Sequence, residues 1–203
     1  MLEIEQKLSG LYTSWCGKDP ESISKLPGSG SYRTYYRIRG QGGAVLGVYN
    51  DDERENAAFI GFTKQFRDEG LPVPEVLAND SRNRIYLVTD LGDTTLYRLL
   101  TEKRIPGDHF PPEIMDVYKK VIGWLPVFQV KAGKKLDYTL CYPRAAFDRQ
   151  SMMWDLNYFK YYFLKLAKIP YDEQALEDDF QTFSDYLLAV DNNAFLYRDF
   201  QSR

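Results

Sequence analysis

Ile4, Leu8, Leu11, Tyr12 and Trp15 recur at three- and four-residue intervals, so residues 2–16 are expected to form an amphipathic helix stopped by Gly17 and Pro20. The period then changes. Ile23–Leu26 is a short strand candidate, and Tyr32–Arg39 alternates ring and arginine in the manner of a strand with one wet face. Gly40 to Gly43 turns the chain into a third strand, Ala44–Asn50. Connections this short make an antiparallel meander, because a parallel crossover needs a dozen residues or more. Ala58, Phe59, Phe62 and Phe66 share one face of a helix over 53–69, with Gly70 as its stop. Strands at 72–77 and 84–89 flank the turn-rich 79–83 and extend the sheet to five strands.

Beyond Asp90-Leu91-Gly92-Asp93 only helices are read, at about 94–102, 112–129, 147–168 and 172–190. The expected class is therefore α+β. A sheet-rich unit over 1–92, with its leading helix 2–16, meets a helical unit over 93–203, with a hinge near 90–93. The run Tyr158–Phe163 has consecutive aromatics pointing all round a helix, so most are expected in the core.

Composition narrows the chemistry. The 203 residues carry 26 Lys+Arg against 29 Asp+Glu, a formal charge of -3, which gives no basic field for nucleic acid. Hydrophobic residues at 44% and charged ones at 27% suit a folded chain able to bury a core. Cys16 and Cys141 stand apart and His109 is the single histidine, too few soft ligands for a zinc site. No apolar run reaches the length of a bilayer span and no leader is apparent, so a cytoplasmic location, with no membrane partner, is expected.

Two segments carry candidate chemistry. Pro27-Gly28-Ser29-Gly30-Ser31 lies between two strands and offers consecutive backbone N–H groups that a phosphate can approach. At the far end, Phe195-Leu-Tyr-Arg-Asp-Phe-Gln-Ser-Arg203 brings an apolar stretch to an Arg-Asp pair. That string resembles the catalytic loop of protein-kinase-like phosphotransferases. Together with Gly70-Leu-Pro-Val-Pro-Glu-Val-Leu-Ala78 and Tyr86-Leu-Val-Thr-Asp-Leu-Gly92, the chain over about 22–203 resembles the aminoglycoside phosphotransferase and choline kinase family. Phe147-Asp-Arg and Asp155-Leu-Asn-Tyr-Phe159 look most like its amino-sugar kinases, which act on N-acetylmuramate or N-acetylglucosamine.

The resemblance implies a protein-kinase-like fold, ATP and Mg²⁺ as cofactors, and a sugar or amino sugar as the small-molecule partner. It places Gly28, Ser29, Gly30 and Ser31 over the nucleotide phosphates and Thr89, Asp90, Leu91 and Gly92 beside the base. Asp199 is to orient the acceptor hydroxyl and Arg198 to hold the loop. Three departures stand out. Ala44–Asn50 lacks the lysine common in this strand, so its salt bridge to Glu55 or another acid of the following helix cannot form as usual, and Arg33 or Arg37 is left as a substitute cation. Tyr197 replaces the usual loop histidine. Both magnesium ligands are expected beyond Arg203, which implies a fragment that turns over poorly and exposes apolar surface prone to self-association. Alternative readings are a nucleotide-binding pseudokinase and a carbohydrate-binding domain that stacks sugar on Tyr158–Phe163.

Overall fold

A computed structural model describes residues 3–28, 30–104, 110–191 and 193–202. It is α+β: among the described residues, six α-helices accompany one five-stranded antiparallel sheet. The first helix, α1 (Glu3–Cys16), is followed by strands β1 (Ser22–Lys25), β2 (Thr34–Gly40) and β3 (Gly43–Tyr49). Helix α2 (Glu53–Asp68) leads to β4 (Val76–Asp80) and β5 (Ile85–Thr89). The sheet order is β1-β2-β3-β5-β4, so the meander continues onto β5 and β4 takes the edge. The fourth strand starts later than the expected Pro72, because Pro72 and Pro74 have no N–H to give a ladder. Pairing settles at Val76, with a register shift between Val76 and Ala78.

Period-2 alternation sorts the sheet into two faces. On one, Tyr36, Ile38, Val45, Ile85 and Leu87 bury against Leu8 and Tyr12 of α1. On the other, Val48, Tyr86 and Val88 pack with Tyr35, Leu46, Phe59 and Ile60, the last two from α2. Gly47 lies on the α1 side, where an added Cβ would meet Leu8 Cδ2 at 2.8 Å and Ile38 Cδ1 at 2.9 Å. The α2-facing positions of β3 are thus Leu46 and Val48, and no cation rises from this strand toward α2. Helix α2 is capped by Asp52, whose carboxylate accepts from the N–H groups of Arg54 and Glu55.

After β5 come α3 (Leu96–Lys103), capped by Thr95, and α4 (Pro112–Pro126), which passes into a π-helical stretch over Val127–Ala132. Unit 1 comprises residues 1–142 with 197–203, and unit 2 comprises 143–196. The sheet ends at Thr89, and the helices as far as Leu140 belong with it in unit 1.

Unit 2 holds α5 (Arg149–Phe159), a π-helical continuation over Lys160–Leu164, and α6 (Glu173–Leu188). Here the expectation for the aromatic run is overturned. The inward stripe of α5 and its continuation is Met152, Leu156, Lys160 and Leu164, four residues apart. That spacing turns Tyr158, Phe159, Tyr161, Tyr162 and Phe163 outward, and Tyr158 and Tyr162 remain 64% and 62% exposed. Lys160 is tolerated inside because its ammonium reaches Glu177 at 2.6 Å and Glu173 at 2.5 Å, as a buried charge requires. No described helix is long and apolar enough to cross a membrane.

Candidate functional site

The segment between β1 and β2 carries the glycine turn. Ser29 lies outside the described residues. Gly28 and Gly30 are exposed, and an added Cβ at either meets nothing within 4 Å. Packing therefore does not demand glycine at these two positions. Ser31 turns back on the chain, its hydroxyl accepting from the Arg33 N–H at 3.3 Å.

Arg33 follows directly. Its Nη2 pairs with Glu55 Oε1 on α2 at 2.7 Å, and its guanidinium lies 5.5 Å from the centroid of Phe59. The Phe59 ring in turn meets Tyr86, centroid to centroid at 5.3 Å. Glu55 also accepts from Asn50 Nδ2 at 2.8 Å, and Asn56 Nδ2 donates to the Asn50 carbonyl at 2.8 Å. Within this cluster Arg33 Nε, Tyr86 Oη and Asn56 Oδ1 are buried without a hydrogen-bond partner. Burial pushes the Tyr86 hydroxyl up to about 12, with the positive charge of Arg33 pulling the other way.

Arg37, two alternations further along the same face, is differently engaged. Its Nε and Nη2 donate to Asp90 at 2.6 and 3.1 Å, and its Nη1 and Nη2 donate to Asp93 at 2.9 and 2.8 Å. Burial opposes ionisation of Asp90, yet the hydrogen bonds from Arg37 and from the Gly92 N–H overcome it and hold the carboxyl below its usual range. The Gly92 N–H bond to Asp90 is 2.9 Å and needs the left-handed backbone of Gly92, φ 81°. The 90–93 segment is thus clamped to β2 by a two-carboxylate fork. Thr89 is committed to the sheet edge, its N–H donating to the Glu75 carbonyl and its hydroxyl accepting from the Glu75 N–H. Leu91 projects to solvent, 73% exposed.

The terminal loop returns to unit 1. Tyr197 meets Phe128 edge to face at 5.2 Å, Phe128 meets Phe66 of α2 at 5.1 Å, and Phe200 packs on Tyr197 at 5.3 Å. The Ser202 carbonyl accepts from the Tyr97 N–H at the start of α3 at 2.9 Å. Between these anchors Asp199 holds φ at 52°, the left-handed region that aspartate tolerates better than most residues. Arg198 and Asp199 are both exposed.

All the described candidates, Gly28, Gly30, Ser31, Thr89, Asp90, Leu91, Gly92, Arg198 and Asp199, therefore lie in one compact unit. Two recesses of the described surface lie away from these residues, one of about 210 Å³ between Gln65, Glu69 and Leu136 and a more open one of about 570 Å³ beside Asp51 and Arg84. No group of three or more His, Cys, Asp or Glu able to hold a metal occurs among the described residues. Comparison with protein-family models and with curated proteins returns no match. Reading the sequence left Arg33 and Arg37 as alternatives and did not single out Phe128 or Tyr86. The alternation at 33, 35, 37 and 39 carried the missing signal, since it puts Arg37 and Arg39 on one face of β2 and Arg33 immediately before the strand in the same alternation.

Proposed function

We propose that the protein is an ATP-dependent phosphotransferase of protein-kinase-like fold that transfers the γ-phosphate to a hydroxyl of a sugar or amino sugar. The observation that carries this reading is the return of 197–202 to the sheet unit, anchored by Tyr197 on Phe128 and by Ser202 on the first turn of α3. An exposed aspartate in a left-handed turn is thereby held beside the segment that follows the hinge. The arrangement suits ATP in a further respect: Gly28 and Gly30 leave open space around their Cα atoms, and Arg33, three residues after Gly30, keeps a buried Nε without a hydrogen bond.

In this reading the Asp199 carboxylate accepts the proton of the acceptor hydroxyl as its oxygen attacks the γ-phosphorus and the bond to ADP breaks. Arg198 supports the loop. Magnesium, which the resemblance implies, finds no ligand set among the described residues, and no step is assigned to it. Transfer of labelled γ-phosphate to a panel of sugars, including N-acetylmuramate and N-acetylglucosamine, tests the reading. Asp199→Asn is expected to keep nucleotide affinity within about 3-fold while lowering turnover at least ~10²-fold, the scale of a lost general base. Equal turnover in variant and parent removes Asp199 from the mechanism. A second reading, a nucleotide-binding pseudokinase, is favoured by Leu46 and Val48 occupying the α2-facing positions of β3; nucleotide binding without transfer to any acceptor selects it.

A further inference from the structure

We infer that Arg33 is the cation that receives the nucleotide phosphates, with Glu55 as the residue that positions it. The inference rests on the phosphotransferase reading and adds to it the residue that takes over from a strand-three lysine.

Three observations lead to Arg33. Position is the first. It follows the glycine turn directly, its own N–H bonded to the Ser31 hydroxyl, so it stands at the exit of the segment that the phosphotransferase reading lays over the phosphates. Support is the second. Glu55 fixes one edge of the guanidinium at 2.7 Å while Asn50 holds Glu55 at 2.8 Å, and Phe59 backs the guanidinium plane. A cation positioned by a helix acid is what phosphoryl transfer asks of this place, and the planar fork of arginine matches phosphate oxygens.

Unspent capacity is the third. Arginine carries five N–H donors, the side chain is only 17% exposed, and Glu55 is its one ion-pair partner among the described residues. The buried Nε and the Tyr86 hydroxyl make no hydrogen bond of good geometry, and the interaction of the hydroxyl with Arg33 only partly offsets the effect of its burial. Unmet buried donors and hydroxyls are costly and mark places where a ligand or water completes the set. Arg37 is excluded by the same accounting, since four hydrogen bonds to Asp90 and Asp93 consume its fork.

The test compares ATP with adenosine, because their difference in affinity isolates the phosphate contribution. Titrations are run on the parent protein, Arg33→Met, Arg33→Lys and Arg37→Met, with inorganic tripolyphosphate as competitor. The parent is expected to bind ATP at least ~10-fold more tightly than adenosine, the scale of charge-assisted hydrogen bonds. Arg33→Met keeps the stem over Phe59 and is expected to bring the two affinities within about 3-fold of each other with adenosine affinity unchanged. Arg33→Lys restores part of the difference, Arg37→Met preserves it, and tripolyphosphate competes with ATP in the parent but not in Arg33→Met. An undiminished preference for ATP in Arg33→Met overturns the assignment of Arg33 and leaves the nucleotide reading standing. Binding of neither adenosine nor ATP by the parent overturns the nucleotide reading itself, and the inference with it.

Discussion

Replacing Gly47 by alanine tests how the sheet is seated. The new methyl would lie 2.8 Å from Leu8 Cδ2, 2.9 Å from Ile38 Cδ1 and 3.1 Å from Leu8 Cδ1, against ordinary carbon contacts of about 3.5–4.0 Å. Leu8 and Ile38 are both fully buried, so neither can swing into solvent. Overpacking of this kind costs about 1–3 kcal/mol, while the smaller conformational freedom of alanine in the unfolded chain returns about 0.4–1 kcal/mol. The net expectation is a loss of about 1.5 kcal/mol, or a fall of about 3–6 °C in melting temperature for a chain of this length. Gly28→Ala serves as the comparison: nothing lies within 4 Å of its Cβ, and its unfolded-state benefit is the same. The difference between the two variants in urea and thermal melts, followed by circular dichroism, isolates the contact with α1. Gly47→Ala at or above the stability of Gly28→Ala would refute the close approach of α1 to β3, and with it the reason that this position of the strand carries no longer side chain.

Three other outcomes follow from the geometry. Asp90→Ala removes the acceptor of the Gly92 N–H and two bonds of Arg37, so amide exchange at 91–93 is expected to accelerate while exchange in β5 at 86–88 stays slow; unchanged exchange at 91–93 contradicts the clamp. Asp148 caps α5, and hydrogen bonds from Arg144 and the Ser151 N–H hold its carboxyl at about 2, below its ordinary 3.8. Because the folded value is the lower one, this stabilisation is present above pH 3.8 and fades as pH falls toward about 2. The stability difference between the parent and Asp148→Asn should accordingly shrink across that window in acid titrations monitored by far-ultraviolet circular dichroism, and a constant difference contradicts it. Finally, the outward apolar side chains of unit 2, with Tyr186 72% and Leu166 72% exposed, are expected to drive concentration-dependent self-association in light scattering; Tyr158→Ser/Tyr162→Ser should reduce it, and an ideal monomer at all concentrations would contradict the expectation.

Strands β1, β2, β3 and β5 and helices α1 and α2 were legible because each is a local pattern, whereas β4 was placed about three residues early. Alternation at 34–39 and 44–49 fixes strand faces, the Phe59, Phe62 and Phe66 spacing fixes α2, and short turns at 40–43 dictate antiparallel pairing. Sheet order was not, since nothing local says that β5 rather than β4 lies beside β3. The helix ends at Pro126 and Phe159 were missed because π-helical continuations keep the same residues in helical company. The exposed aromatics of 158–163 were misjudged because residue type was weighed above register, whereas Met152, Leu156, Lys160 and Leu164 set the inward stripe once Glu173 and Glu177 accommodate a lysine. At the candidate site the turn, the hinge and the loop could be marked as sequence motifs. The pairs that join them, Arg33 with Glu55, Arg37 with Asp90 and Tyr197 with Phe128, span 22, 53 and 69 positions, and such distances are set only by the fold.

The central claim is that the glycine turn, the hinge and the terminal loop form one nucleotide site in unit 1. Hydrogen exchange read by mass spectrometry, with and without a non-hydrolysable ATP analogue, addresses it most directly. The account predicts slowed exchange in peptides covering 28–35, 89–93 and 197–202, with 173–188 of unit 2 unaffected. Saturating analogue that protects none of these segments, or protection confined to α5 and α6, would contradict it.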